Sequence, residues 1–212
     1  MNKSKSKYIA LLSLLGAILI VVFVLESVVG AVLVAPPAVL SLTVFFVFCF
    51  CADWKIGLLS GAVFGVSSLV IAWIIGNPIF ILPWVSILPR LIVGIGAFGV
   101  MAGVRKLCLH SKSKFVNQVL PYSIGAACGI VFNTVLVLLS MAYLVPAELG
   151  LGTFVQLLQT SIGINFIIEF VCAITLTPVL LLAVRKAGVS LGIDQVGTPK
   201  RKIKTQTENK GE

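Results

Sequence analysis

Charge is what this sequence has least of. Only 11% of its 212 residues are Asp, Glu, Lys or Arg, and it holds one histidine, His110. Hydrophobic residues make up 59% and the mean hydropathy is +1.14. A soluble core has no room for that much apolar surface, so the chain reads as an all-α membrane protein. The same poverty removes whole classes of chemistry. His110 lies among lysines and serines in a polar loop, so no Ser/His/Asp set can be assembled. Cys49, Cys51, Cys108, Cys128 and Cys172 have no metal-ligand spacing and read as small apolar packers. No G-x-x-x-x-G-K-[ST] loop is present, which excludes ATP binding by that route. Buried ionisable groups are too few for an obvious proton relay. No catalytic residue, metal or cofactor is therefore expected. No internal repeat of the kind common in secondary transporters stands out.

The charge that is present is asymmetric. The formal net charge is +9. In a soluble chain this would suggest nucleic acid, but here the basic residues cluster between and beyond apolar runs, the pattern of loops kept cytoplasmic. Of the 16 Lys and Arg residues, Arg90 alone falls on the outer side in this reading. Six spans follow, at about 8–25, 38–52, 56–75, 84 or 90 to 104, 116–143 and 154–184, with both ends cytoplasmic. Residues 26–37 read as an outer loop, and 1–188 as one six-helix domain. Residues 189–212 read as a basic, disordered tail suited to the anionic inner leaflet. The first apolar run follows Lys3, Lys5 and Lys7, and is long enough to be a retained helix rather than a cleaved signal.

Small residues mark where helices can approach closely. Gly57, Gly61 and Gly65 recur every four residues in the third span, and Gly96, Gly99 and Gly103 suggest a second such face in the fourth. In the fifth, Gly125, Gly129 and Asn133 share a face with room for a ligand or a neighbour.

One stretch interrupts the apolar runs. From Asn77-Pro78 to Pro89-Arg90, three prolines prevent a continuous helix. Irregular backbone at membrane depth is tolerated where it is buried in protein or lines a wet cavity. A charge there, Arg90, is a functional candidate by default. Two amides join it. Asn133 is ten residues from Tyr143 and Asn165 eleven from Phe154. They therefore lie roughly 15 Å and roughly 16 Å below the outer ends of the fifth and sixth spans. Ser161, Asn165 and Glu169 form one polar stripe at four-residue spacing, with Glu169 about 6 Å deeper than Asn165. Arg90, Asn133, Asn165 and Glu169, with Trp84 and Asn77 from the proline-rich lid, are the candidate binding residues. Guanidinium and amides suit a small polar solute with hydroxyl, amide or carboxylate groups. The competing readings are amides that only bond each other across helices, and an Arg90 and Trp84 that only anchor at the interface.

Three motifs, in order, resemble those of the substrate-binding S components of energy-coupling factor (ECF) transporters. They are Asn77-Pro78 with Trp84-Val85-Ser86-Ile87-Leu88-Pro89-Arg90, Phe132-Asn133-Thr134, and Asn165-Phe166-Ile167-Ile168-Glu169 with Thr177-Pro178. The resemblance covers nearly the whole chain and is greatest for the pantothenate-like subgroup. It implies a subunit that captures a vitamin outside and docks on a membrane coupling protein driven by two cytoplasmic ATPases. It also implies a small-residue docking face on the first helix, here Ser13, Gly16 and Ala17, with Ser13 standing where the family commonly has alanine. Which vitamin is bound stays open, with pantothenate first and a paucity of pocket aromatics arguing against a large flat ring. The alternative is a stand-alone carrier or channel for a small polar solute.

Overall fold

The computed structural model describes residues 3–32, 39–51, 53–76, 80–108, 113–144 and 164–186. Every regular element among them is helical: α1 Lys3–Val32, α2 Val39–Cys49, α3 Trp54–Ile75, α4 Pro83–Ser86, α5 Leu88–Cys108, α6 Lys114–Gln118, α7 Leu120–Leu144 and α8 Ile164–Lys186. Among the described residues, four stretches are long and apolar enough to cross a bilayer: Trp54–Ile75, Pro83–Cys108, Leu120–Ala142 and Phe166–Val184. The shorter apolar segments Ser13–Glu26 and Val39–Cys49 pack with them. Trp73, Ile74, Ile167 and Val179 leave more than half their area exposed. Water would penalise such faces, whereas lipid accepts them.

Close approach of α3 and α5 is built on the expected glycines. A Cβ on Gly57 would lie 2.9 Å from the Gly94 carbonyl oxygen, and one on Gly65 would lie 2.8 Å from the Ile87 Cα. A Cβ on Gly61 would run into the Arg90 carbonyl. The reciprocal glycine on α5 is Gly94, whose Cβ would strike the Gly57 carbonyl. The face expected from Gly96, Gly99 and Gly103 is different. Gly96 accommodates the Phe132 ring, while Gly99 and Gly103 meet nothing within 4 Å.

The short α2 is the centre of the bundle. Phe45, Phe46 and Phe50 are fully buried. Rings meet along it: Phe45 stacks 4.8 Å from Phe64 and Phe46 5.9 Å from Phe50, and Phe50 meets Tyr122 in a tilted pair at 6.1 Å. The room expected at Gly125 and Gly129 is taken by neighbours. Met101 and Phe50 pack at the first, Phe46 and Ala97 at the second. In lipid, where water drives nothing together, this interdigitation and its dispersion contacts are what hold helices in place. Cys49 adds a directional contact, its thiol donating to the Gly94 carbonyl at 3.1 Å.

Three boundaries differ from the sequence reading. Residues 26–32 do not begin an outer loop, because α1 continues to Val32. Glu26 Oε1 instead accepts the Leu40 and Ser41 amides at 2.8 and 3.0 Å. These are first-turn N–H groups of α2 with no partner inside their helix, so the carboxylate caps α2 from α1. The fifth span is not one helix from 116 to 143, because α6 ends and α7 starts at Leu120. Pro121 explains the interruption, having no N–H to give the carbonyl four residues earlier. Finally, α8 is described only from Ile164, so 154–163 lie outside the described residues.

Candidate functional site

Prolines inside apolar helices create the polar chemistry of this bundle. Each removes the N–H that the carbonyl four residues earlier would accept, and in hydrocarbon that carbonyl needs another donor. Pro178 orphans the Ile174 carbonyl of α8. The Ser123 hydroxyl donates to it from α7 at 3.0 Å. Pro89, at the second position of α5, likewise has no N–H to offer the Val85 carbonyl of α4. Here Arg90 fills the gap, its Nη1 donating to the Val85 oxygen at 2.7 Å.

Arg90 is only 7% exposed. It is thus not an interfacial anchor reaching for water but a guanidinium enclosed by protein. Its Cζ lies 6.0 Å from the Phe64 ring centroid and 5.4 Å from that of Phe80. Two aromatic faces offset part of the cost of burying a cation. Its Nε is buried and has no hydrogen-bond partner.

The proline-rich segment folds over this arginine. Pro83 opens α4, a position where a missing N–H costs nothing. Ser86 donates its hydroxyl to the Phe80 carbonyl and closes the turn. Val85 is fully buried against Val137 and Met141 of α7, with Phe80 and Leu82 packed around them. Trp84, on the other side of α4, is half exposed at 47%.

Asn133 sits one turn below Val137 on α7. It is half-buried, and its Oδ1 is enclosed without a hydrogen-bond partner. The α5–α7 register places it relative to Arg90. Gly125 meets Met101 and Gly129 meets Ala97. Continuing that antiparallel step brings Asn133 to the level of Val93, about one turn from Arg90. The α7–α8 register comes from the Ser123–Ile174 bond. Ten residues along each helix from that bond lie Asn133 and Ile164, so the backbone of Asn165 stands level with Asn133. The equal depths expected for the two amides are thus matched by the register. Glu169 lies one turn deeper on α8 and is half-buried.

The sequence-predicted residues therefore separate into groups. Arg90 and Asn133 come together beneath the segment 80–87, each with a buried polar atom left over. Asn165 contributes its level only, Ser161 and Asn77 lie outside the described residues, and Trp84 faces outward. On α1, Ser13 and Ala17 are exposed while Gly16 turns inward toward Val63. Sequence reasoning missed Ser60, whose fully buried hydroxyl on α3 has no partner, and the matching hydroxyl of Thr177 on α8. A lone serine in an apolar run carries no sequence signal that tells a buried hydroxyl from one turned to its own helix.

No protein-family profile matches the chain, and no solved structure matches it. A curated protein does: the pantothenic acid transporter PanT of Lactococcus lactis subsp. cremoris (strain MG1363) is 29% identical over 206 residues. The alignment covers 88% of this chain and 98% of that protein. The long apolar helices and this relative together make the chain a multi-pass protein of the cell membrane. The relative also bears out the likeness to pantothenate-type proteins that the motifs around Arg90, Asn133 and Asn165 carry.

Proposed function

We propose that this chain is the substrate-capturing membrane subunit of an ECF-type importer, and that its solute is pantothenate. The observation that carries the reading is similarity along nearly the whole chain to a pantothenic acid transporter. The site fits the role. Pantothenate presents a carboxylate, an amide and hydroxyls, and the bundle offers a guanidinium and an amide with unfilled polar atoms about a turn apart. Arg90, Asn133, Asn165 and Glu169 form the binding site in this reading, with Trp84 and Asn77 in the lid.

In the same reading six spans cross the membrane with both termini cytoplasmic, which puts 15 of the 16 basic residues inside. The chain performs no catalysis of its own. Energy comes from two ATPases through a membrane coupling protein, which docks on α1 at the outward-facing Ser13 and Ala17 beside Gly16. The test is retention and uptake. Protein purified in detergent is expected to bind pantothenate one-to-one by native mass spectrometry and titration calorimetry. Proteoliposomes are expected to take it up only when the ATPases and coupling protein are co-reconstituted and ATP is supplied. Uptake by this chain alone under an ion gradient would establish the stand-alone carrier instead.

A further inference from the structure

Helix α1 meets the bundle along one narrow stripe. Leu15 and Leu19 are fully buried and Phe23 partly so. Ser13, Ala17, Ile20, Val21 and Val24 are exposed on the other side. The helix packs on α2 and α3, whereas α5, which carries Arg90, packs on α3 and α7. An effect that passes between the exposed side of α1 and the solute site therefore crosses α2 or α3. One ring offers that crossing. Phe23 stacks on Phe64 of α3, with centroids 5.5 Å apart and planes 20° from parallel. Phe64 is buried and has two further neighbours, the Phe45 ring at 4.8 Å and the Arg90 Cζ at 6.0 Å. Two side chains thus connect α1 to the guanidinium. Less than a turn beyond Phe23, Glu26 pins the outer end of α1 to the first turn of α2. Ser13 lies ten residues the other way, roughly 15 Å further in. A tilt of α1 about the Glu26 clasp moves Phe23 against Phe64, and close-packed rings do not shift singly.

We propose that the Phe23–Phe64 pair couples the exposed side of α1 to the solute site, so that solute capture firms α1 and a partner that moves α1 loosens the site. This rests on the substrate-capture reading above and adds the route by which docking reaches the solute. Phe23 is a positioning residue, acting through Phe64 on Arg90 and touching no solute itself. Coupling of this kind is reciprocal. A solute that stabilises the packing of Phe64 stabilises α1 by the same free energy, and drawing α1 away returns that free energy as weaker binding. Phe64 also rests on Phe45, which is fully buried on α2. Loss of the Phe23 contact therefore leaves the Phe64 ring seated and the solute site formed, and removes only the link.

The experiment follows amide hydrogen exchange of α1 in the full-length protein in detergent, with and without saturating pantothenate, beside titration calorimetry. In wild type, pantothenate is expected to slow exchange across residues 13–26 by about three- to tenfold. Phe23→Leu is expected to bind pantothenate within about threefold of wild type and to lose that protection. Phe23→Tyr keeps the ring and should keep the protection. Should Phe23→Leu fail to fold, Phe23→Met fills the volume without a ring face and is read in its place. Exchange in α1 that ignores pantothenate in the wild type overturns the inference, and so does full protection in Phe23→Leu. Affinity and protection that fall together in Phe23→Leu also overturn it, since that is the behaviour of a merely structural contact. A vitamin panel on the wild type separates this from the parent reading. A different vitamin that protects α1 in wild type but not in Phe23→Leu discards pantothenate and keeps the link. A wild type that binds none of the panel discards both.

Discussion

Pro89 and Pro178 each leave a carbonyl without its backbone donor, Val85 where α4 gives way to α5 and Ile174 inside α8, and the two receive unlike answers. At Pro178 the donor is Ser123, neutral, from a neighbouring helix, and spent once the bond to Ile174 is made. At Pro89 the donor is Arg90, charged, one residue along the same helix, and not spent, because its Nε remains without a partner. A donor that fits the need is a stitch, holding α7 to α8 in register. A donor that exceeds the need leaves charge and hydrogen-bonding capacity for something else. The surplus is also local. Arg90 lies under the segment 80–87 and about a turn from Asn133, while Ser123 lies ten residues further down α7.

The comparison can be broken in several ways, beginning with the largest effect. Gly61→Leu forces a side chain into the Arg90 carbonyl and separates α3 from α5 where the arginine is seated. A loss of about 3 kcal/mol or failure to fold is expected, read as the melting temperature in detergent. A variant that melts like wild type would mean that α3 and α5 do not meet there. Asn133→Leu is next. It is expected to weaken pantothenate at least about tenfold by calorimetry. The melting temperature should hold or rise, because the enclosed Oδ1 has no protein bond to lose. Lost stability with intact binding would make Asn133 interhelical glue.

The Ser123 side should behave in the opposite manner. Ser123→Ala should cost about 0.5–1.5 kcal/mol of stability and leave pantothenate affinity unchanged. The decisive refinement is the double-mutant cycle. In a Pro178→Ala background residue 178 regains its N–H, the helix satisfies Ile174 itself, and Ser123→Ala should cost close to nothing. An undiminished cost would separate the serine from the proline. The smallest effect is expected at Thr175, whose hydroxyl donates only to the Val171 and Cys172 carbonyls of its own helix. Thr175→Val should move neither stability nor binding beyond about 0.5 kcal/mol.

Much of this was legible because membrane proteins write their rules locally. Apolar runs announce helices, and glycines every four residues announce a close neighbour, as Gly57, Gly61 and Gly65 of α3 do for α5. Equal depth of Asn133 and Asn165 follows from a constant rise per residue. The missed features share a cause. Gly94, not Gly96, Gly99 or Gly103, meets α3 because the partner is chosen by which face turns inward, and spacing alone leaves several faces equivalent. The gap at Gly129 looked open until Phe46 of α2 filled it. Glu26 looked like a loop acid, and only the approach of α2 gave it two amides to cap.

By itself, then, the sequence determined that the chain is helical and membrane-embedded, that no single helix runs through the proline-rich stretch 77–89, and that Arg90 and Asn133 are out of place in hydrocarbon. Those follow from composition, from the geometry of one helix, and from the missing N–H of proline. Only the tertiary structure decided which carbonyl each surplus donor satisfies and which polar atoms are left over. Hydrogen bonding between helices depends on register and on inward-facing surfaces, and packing sets both.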